Sequence, residues 1–169
     1  TTFFAQFTFF GSVFVLFLDA LHLNKSQIGF LLSLFPFFGL ISLFIMPQVG
    51  RRGYKSTFLS WFGLRTVITA GLMLTPLFVA RLTSGAVLLF VSGITIAFAI
   101  SRAIAMTALL PWQQEYIPNE VRGKYSAYSN IFVSLSGILA VSVAGYLLGR
   151  VEGLSGYVIL FGLGVFFGL

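Results

Sequence analysis

Gly85-AVLLFVSGITIAFAIS-Arg102-AIAMTAL-Leu110 is an unbroken apolar run with a single charge, Arg102, inside it. About 20 apolar residues wound as a helix span the hydrocarbon of a bilayer, and this stretch is longer than that. It does not alternate polar with apolar as a barrel strand would, so it reads as a membrane-spanning helix. Moving outward along the chain, the same reading applies to Phe3–Leu21, Ser26–Met46, Thr57–Val79, Tyr125–Leu148 and Gly153–Leu169, the last of them short. The expectation is an all-α integral membrane protein of about six transmembrane helices, forming one bundle over residues 1–169. Composition agrees: 58% of residues are hydrophobic and 8% are charged, whereas soluble domains carry about 25% charged residues.

Composition also narrows the chemistry. With no cysteine there is no disulfide, thiolate metal site or thiol nucleophile, and one histidine with four acids leaves little for catalysis. The reading is therefore not an enzyme, with no metal and no cofactor. No Gly-rich phosphate loop is present for ATP. The formal charge of +6 comes from short basic clusters between apolar runs. Such clusters orient a membrane protein and do not form a nucleic-acid stripe. Thr1-Thr2-Phe3-Phe4 and the apolar terminus read as cut ends, so the chain is expected to be a fragment of a longer protein.

Basic residues gather in alternate loops. Arg51, Arg52 and Lys55 fall between helices 2 and 3, and Arg122 and Lys124 between helices 4 and 5; the other side holds Lys25, Arg81 and Arg150. The positive-inside rule places the first set, and the N-terminus, in the cytoplasm of a multi-pass cell-membrane protein. Trp61 and Trp112 fall near cytoplasmic helix ends, as interfacial indoles do. Pro111–Lys124 is too polar to span and is expected to lie along the inner surface, partly helical. Asn24 with Gly29, and Asn119 with Gly123, open helices 2 and 5 on opposite sides, which hints at an inverted three-helix repeat.

Leu23-Asn24-Lys25-Ser26-Gln27-Ile28-Gly29, an apolar helix, and then Gly50-Arg51-Arg52-Gly53-Tyr54-Lys55 resemble a passage of the Major Facilitator Superfamily of secondary transporters. Arg51, Gly53 and Lys55 match that family's D-R-x-G-R-R loop, while Gly50 stands where it usually carries Asp and Tyr54 replaces a basic residue. Pro118, Arg122 and Gly123 look like its Pro-x-x-x-Arg-Gly segment entering helix 5. The resemblance implies the N-terminal half of a twelve-helix carrier built from three-helix inverted repeats. Its partners would be the bilayer, a small-molecule substrate and a missing C-terminal half. It also implies alternating access driven by a gradient, and a central cavity lined by helices 1 and 4. The Gly-Pro pair that proton antiporters of the family often carry on helix 5 is absent, since no proline lies between Tyr125 and Leu169.

Read by helical spacing, Thr8, Ser12 and Asp19 share a face of helix 1, and Ser92, Thr95, Arg102 and Met106 share one of helix 4. Such faces point at a polar cavity or at other helices rather than at lipid. Hydroxyls can equally bond carbonyls of their own helix. Arg102 lies roughly 12 Å from Leu110 along the axis. There, insertion of Arg costs at least about 2.5 kcal/mol, so it needs a partner or water. It reads either as a substrate or gating residue or as half of a structural pair. Arg65, as deep in helix 3, reads either as a structural residue or one that snorkels to the headgroups, or, with less weight, as a cavity or gating residue. On helix 5, Ser126, Asn130, Ser134, Gly137, Gly145 and Gly149 form a small-residue packing face. Pro36 is expected to bend helix 2, with Ser33 helping to satisfy the freed carbonyl. Two intramembrane arginines and one acid favour an anionic or polar substrate. The alternatives are an intramembrane enzyme, poorly supplied with nucleophile and base, and a non-transporting membrane scaffold.

Overall fold

The computed structural model describes residues 2–79, 84–151 and 153–168, so Arg81, counted above among the outer loops, and the last residue of the sixth predicted span lie outside the described residues. Among the described residues every element is helical. In order they are α1 (Thr2–Phe7), α2 (Ser12–Ala20), α3 (Lys25–Gly39), α4 (Ile41–Arg52), α5 (Tyr54–Ala70), a 3-10 turn (Gly71–Leu74), α6 (Thr75–Val79), α7 (Ser84–Tyr116), α8 (Asn119–Arg150) and α9 (Leu154–Gly168). Four stretches are long and apolar enough to cross a membrane: Thr2–Ala20, Tyr54–Leu74, Gly85–Tyr116 and Asn119–Arg150. The bent pair α3–α4 makes a fifth if counted as one span, while α9 is apolar but shorter. The six-span expectation thus narrows to four or five helices of sufficient length.

The N-terminal helix is not continuous. Thr8 donates its hydroxyl to the Phe4 carbonyl at 2.6 Å, competing with its own backbone amide for that acceptor. The amide of Phe10 reaches back to Ala5, five residues away, at 3.0 Å. Gly11 then passes so close to the Gln6 carbonyl that a Cβ there would collide with backbone. Only glycine fits that approach. The break between α1 and α2 therefore separates Thr8 from Ser12 and Asp19, and the single face drawn through them does not exist.

Helix 2 bends elsewhere than predicted. Pro36 sits inside α3, and the 44° bend falls at Leu40, between α3 and α4. Leu40 donates to Phe37 and Leu43 to Leu40, a tightened three-residue pattern that redirects the chain. Ser33 donates to the Phe30 carbonyl at 2.7 Å rather than to the carbonyl that Pro36 frees. The start of α3 is firmly capped: Asn24 accepts from the Gln27 amide while the Gln27 side chain accepts from the Asn24 amide, both at 2.9 Å. That reciprocal box explains Asn24, and Asn119 has no such role because Pro118 is the N-cap of α8. The two asparagines are not equivalent positions. Asn24→Ala is expected to lower stability by about 1 kcal/mol, read as a fall in the unfolding midpoint in detergent.

Pro111–Lys124 is largely helical but forms no element of its own. Helix α7 runs through Pro111 to Tyr116, and α8 begins at Asn119. Pro118 disfavours helical geometry at Ile117 and so ends α7 there. Arg122 then closes the turn, donating from Nη2 to the carbonyls of Ile117 at 3.3 Å and Gln114 at 3.5 Å. Because α7 extends past Leu110, Arg102 lies fourteen residues from its end, roughly 21 Å along the axis.

Helix α7 is the spine, with α5, α3 and α4 packed along it, while α9 packs on α1 and α5. The main core joins Phe4, Phe7, Phe14, Phe17, Phe98 and Phe161 with leucines of α3 and α9. A smaller cluster of Val49, Ile104 and Ala108 holds α4 against α7. The Phe58 and Trp112 rings meet at 5.3 Å, bringing the α4–α5 turn and the α7–α8 turn to one end of the bundle. Both basic clusters therefore share that end.

Candidate functional site: two arginines on an aromatic wall

Among the described residues Arg65 and Arg102 are the charged groups drawn deepest into the bundle. Arg65, in the middle of α5, is 6% exposed. Its guanidinium carbon lies 4.3 Å from the centroid of Phe4 and 3.7 Å from that of Phe62. Arg102, on α7, is half-buried, with its guanidinium carbon 4.2 Å from the centroid of Phe10. Phe4 precedes the break between α1 and α2 and Phe10 lies within it, so the interrupted helix presents one ring to each arginine. Each such contact is worth about 0.5–2 kcal/mol, more when dry.

Phe98 holds the wall together. It sits one turn before Arg102 on α7, and its ring stacks on Phe9 at 4.0 Å and on Phe4 at 6.2 Å. Phe10 and Phe35 meet the same ring at 6.0 and 6.1 Å. Both arginines thus border one ring cluster, Arg65 through Phe4 and Arg102 through Phe10. Among the described residues no carboxylate stands against either guanidinium, and Nε and Nη2 of Arg65 are buried without any hydrogen-bond partner. Leaving charged donors buried and unbonded costs more than the roughly 1–3 kcal/mol of a neutral group. Stacking on phenyl rings offsets only part of that.

Snorkelling is thereby corrected for Arg65. Its side chain turns inward because α1 and α9 cover this face of α5 with Phe4 and Gly168, beside Thr66. The remaining predicted residues divide. Thr8 and Thr95 are fully buried, and each hydroxyl donates to the carbonyl four residues earlier, at 2.6 and 2.8 Å. Ser92 is buried on α7, whereas Ser12 and Asp19 on α2 are exposed. Arg51 lies in the last turn of α4 and Lys55 in the first turn of α5, both exposed, while Gly53 between them has a φ of +86° that favours glycine. Pro118 and Arg122 build the α7–α8 turn; Gly123 has open space around its Cα and no steric need to be glycine.

Among the described residues the small-residue face of α8 is largely uncovered, with Gly137 alone of its glycines near another helix, where a Cβ would lie 3.8 Å from Gln6 Nε2. Ser126, Asn130 and Ser134 are exposed, and a Cβ on Gly145 or Gly149 would meet nothing. Helix α8 buries Ala140 and Ala144. Close packing occurs on α9, where a Cβ on Gly164 would lie 2.8 Å from Thr8 Cγ2 and one on Gly168 2.5 Å from Phe4 Cδ2.

Sequence reasoning missed the phenylalanines. Among 21 of them, nothing in spacing distinguishes a ring under an arginine from one in the core. The available signal was Phe9-Phe10-Gly11-Ser12, a glycine inside a helical pattern. Among the described residues no group of three or more His, Cys, Asp or Glu side chains gathers to hold a metal. No family model, no curated protein and no solved structure matches the chain.

Proposed function

We propose that the protein is a secondary transporter of the Major Facilitator type that moves a small anion across a membrane by alternating access. In this reading the chain is one six-helix half, built from two inverted three-helix units, in the cell membrane with its N-terminus in the cytoplasm. A second six-helix half faces the uncovered side of α8. The observation that carries the reading is the arginine pair: two buried Arg65 donors without a protein acceptor, with the half-buried Arg102 on the same aromatic wall, next to an interrupted helix. Interrupted helices bring unpaired backbone groups to the membrane interior, where carriers bind solutes. A carboxylate or phosphate would supply the acceptors that the protein does not, and Arg is the side chain suited to hold either through paired bonds.

The test is thermal unfolding in detergent against a panel of carboxylates, phosphate and sulfate, at ionic strength matched with chloride, followed by counterflow in vesicles. Binding at a hundredfold excess over Kd stabilises by about 2.7 kcal/mol, or several degrees for a chain of this size. A panel that leaves the midpoint unmoved, together with full counterflow in Arg102→Ala, would refute an anion site at the pair.

Orientation gives a separate prediction. Cysteines replacing Arg51 or Lys124 should be labelled from the cytoplasmic side and one replacing His22 from outside, because the first two share the basic end of the bundle. Labelling of His22→Cys and Lys124→Cys from the same side would overturn the topology.

A further inference from the structure

A cavity of about 420 Å³ opens at the basic end of the bundle, in the elbow between α4 and α5. Arg51 and Arg52, the last residues of α4, line it together with Thr57, Val49, Trp61 and Ile104, and no carboxylate does. Thr57 differs from most of the chain's helical threonines, and among the described residues Thr75, outside this cavity, shares its lack of a partner. Thr69, Thr95 and Thr107 each donate a hydroxyl to the carbonyl four residues earlier at 2.8 Å. The Thr57 hydroxyl, on a residue 4% exposed, has no partner. Such a group costs about 1–3 kcal/mol unless a ligand bonds it. The cavity thus combines two exposed guanidiniums, a buried unbonded hydroxyl and an apolar lining continuous with the Val49–Ile104 cluster. The positive end of α5 adds to the attraction for an anion.

We propose that this elbow binds the phosphate group of an anionic phospholipid. Arg51 and Arg52 pair with the phosphate oxygens, Thr57 donates to one of them, and the acyl stem lies along Val49, Trp61 and Ile104. Soluble phosphate offers the same head chemistry but leaves that apolar lining uncovered, which favours the lipid. An indole at this level suits the membrane interface. The site is separate from the Arg65–Arg102 pair and stands whether or not the protein transports.

Trp61 serves as reporter. The chain has two tryptophans, so Trp112→Phe leaves Trp61 alone. In this background the full chain is reconstituted into phosphatidylcholine vesicles carrying equal small fractions of brominated phosphatidylglycerol or brominated phosphatidylcholine. Brominated phosphatidylglycerol should quench Trp61 with an apparent affinity roughly tenfold higher, from two arginines near an anionic headgroup. Arg51→Gln with Arg52→Gln should erase the preference, and Thr57→Val, which keeps every charge, should reduce it several-fold. Lys55→Gln with Lys124→Gln removes as much charge from the same end without touching the cavity lining, and should leave the preference intact. Exchanging chloride for inorganic phosphate at constant ionic strength should not displace the lipid. Equal quenching by the two lipids overturns the proposal. So does a preference that falls equally in the two double variants, which is diffuse surface charge. Displacement by inorganic phosphate also overturns it, leaving a soluble-phosphate site instead.

Discussion

Arg102→Ala should reduce transport per folded molecule by roughly 30- to 100-fold, the loss of charge-assisted bonds worth about 2–3 kcal/mol. Expression and insertion should stay near normal, because Arg102 is half-buried against a single ring and leaves no acid unpaired. Arg102→Lys should keep the charge but lose the planar fork, and so fall between the two. Arg65 gives the complementary result. Two phenyl contacts contribute about 1–4 kcal/mol to Arg65, against a burial cost of several kcal/mol for an unpaired charge. Arg65→Met keeps the stem and discards the charge. It should therefore unfold at the wild-type temperature or higher, while the anion-induced rise in midpoint shrinks. Arg65→Lys should not be silent, since an ammonium cannot lie flat between Phe4 and Phe62. The measurement is transport normalised to folded protein, paired with unfolding midpoints with and without the stabilising anion. Wild-type transport in Arg102→Ala would remove it from the substrate path. A destabilised Arg65→Met with an undiminished anion shift would make Arg65 purely structural.

Gly164→Val should destabilise the bundle by about 1–3 kcal/mol or more. Its Cβ would lie 2.8 Å from Thr8 Cγ2 and 3.3 Å from Phe7 Cβ, on the helix that carries Phe4 and leads to the break. Gly168→Ala acts on the same seam, pushing on the Phe4 ring that stacks under Arg65. Transport should fall with it even where the protein still folds. Gly145→Ala and Gly149→Ala, by contrast, meet open space and should stay within about 0.5 kcal/mol of wild type. Unfolding midpoints in detergent decide the matter: equal tolerance at Gly149 and Gly164 would mean that α9 does not pack on α1 as described.

The sequence by itself determined the helical class and some of the helix ends. Helical class follows from apolar runs too long and too continuous for anything else. The capping box at Asn24–Gln27 and the stop at Pro118 are local devices whose partners lie within a few residues. Gathering of both basic clusters at one end was legible for the same reason, since successive spans alternate in direction. Tertiary structure alone decided which residues meet. In an apolar chain the core side and the outer side of a helix carry the same residue types. Spacing therefore could not tell that Gly164 and Gly168 of α9 are packed and Gly145 and Gly149 of α8 uncovered. Nor could it tell that Arg65 turns inward, because its direction is set by what covers α5: Phe4 from α1 and Gly168 from α9, both distant in sequence. The break at Thr8–Gly11 lies between these cases. Its glycine is visible in the sequence, but its consequence, a phenyl ring offered to each of two arginines, exists only once α5 and α7 are in place.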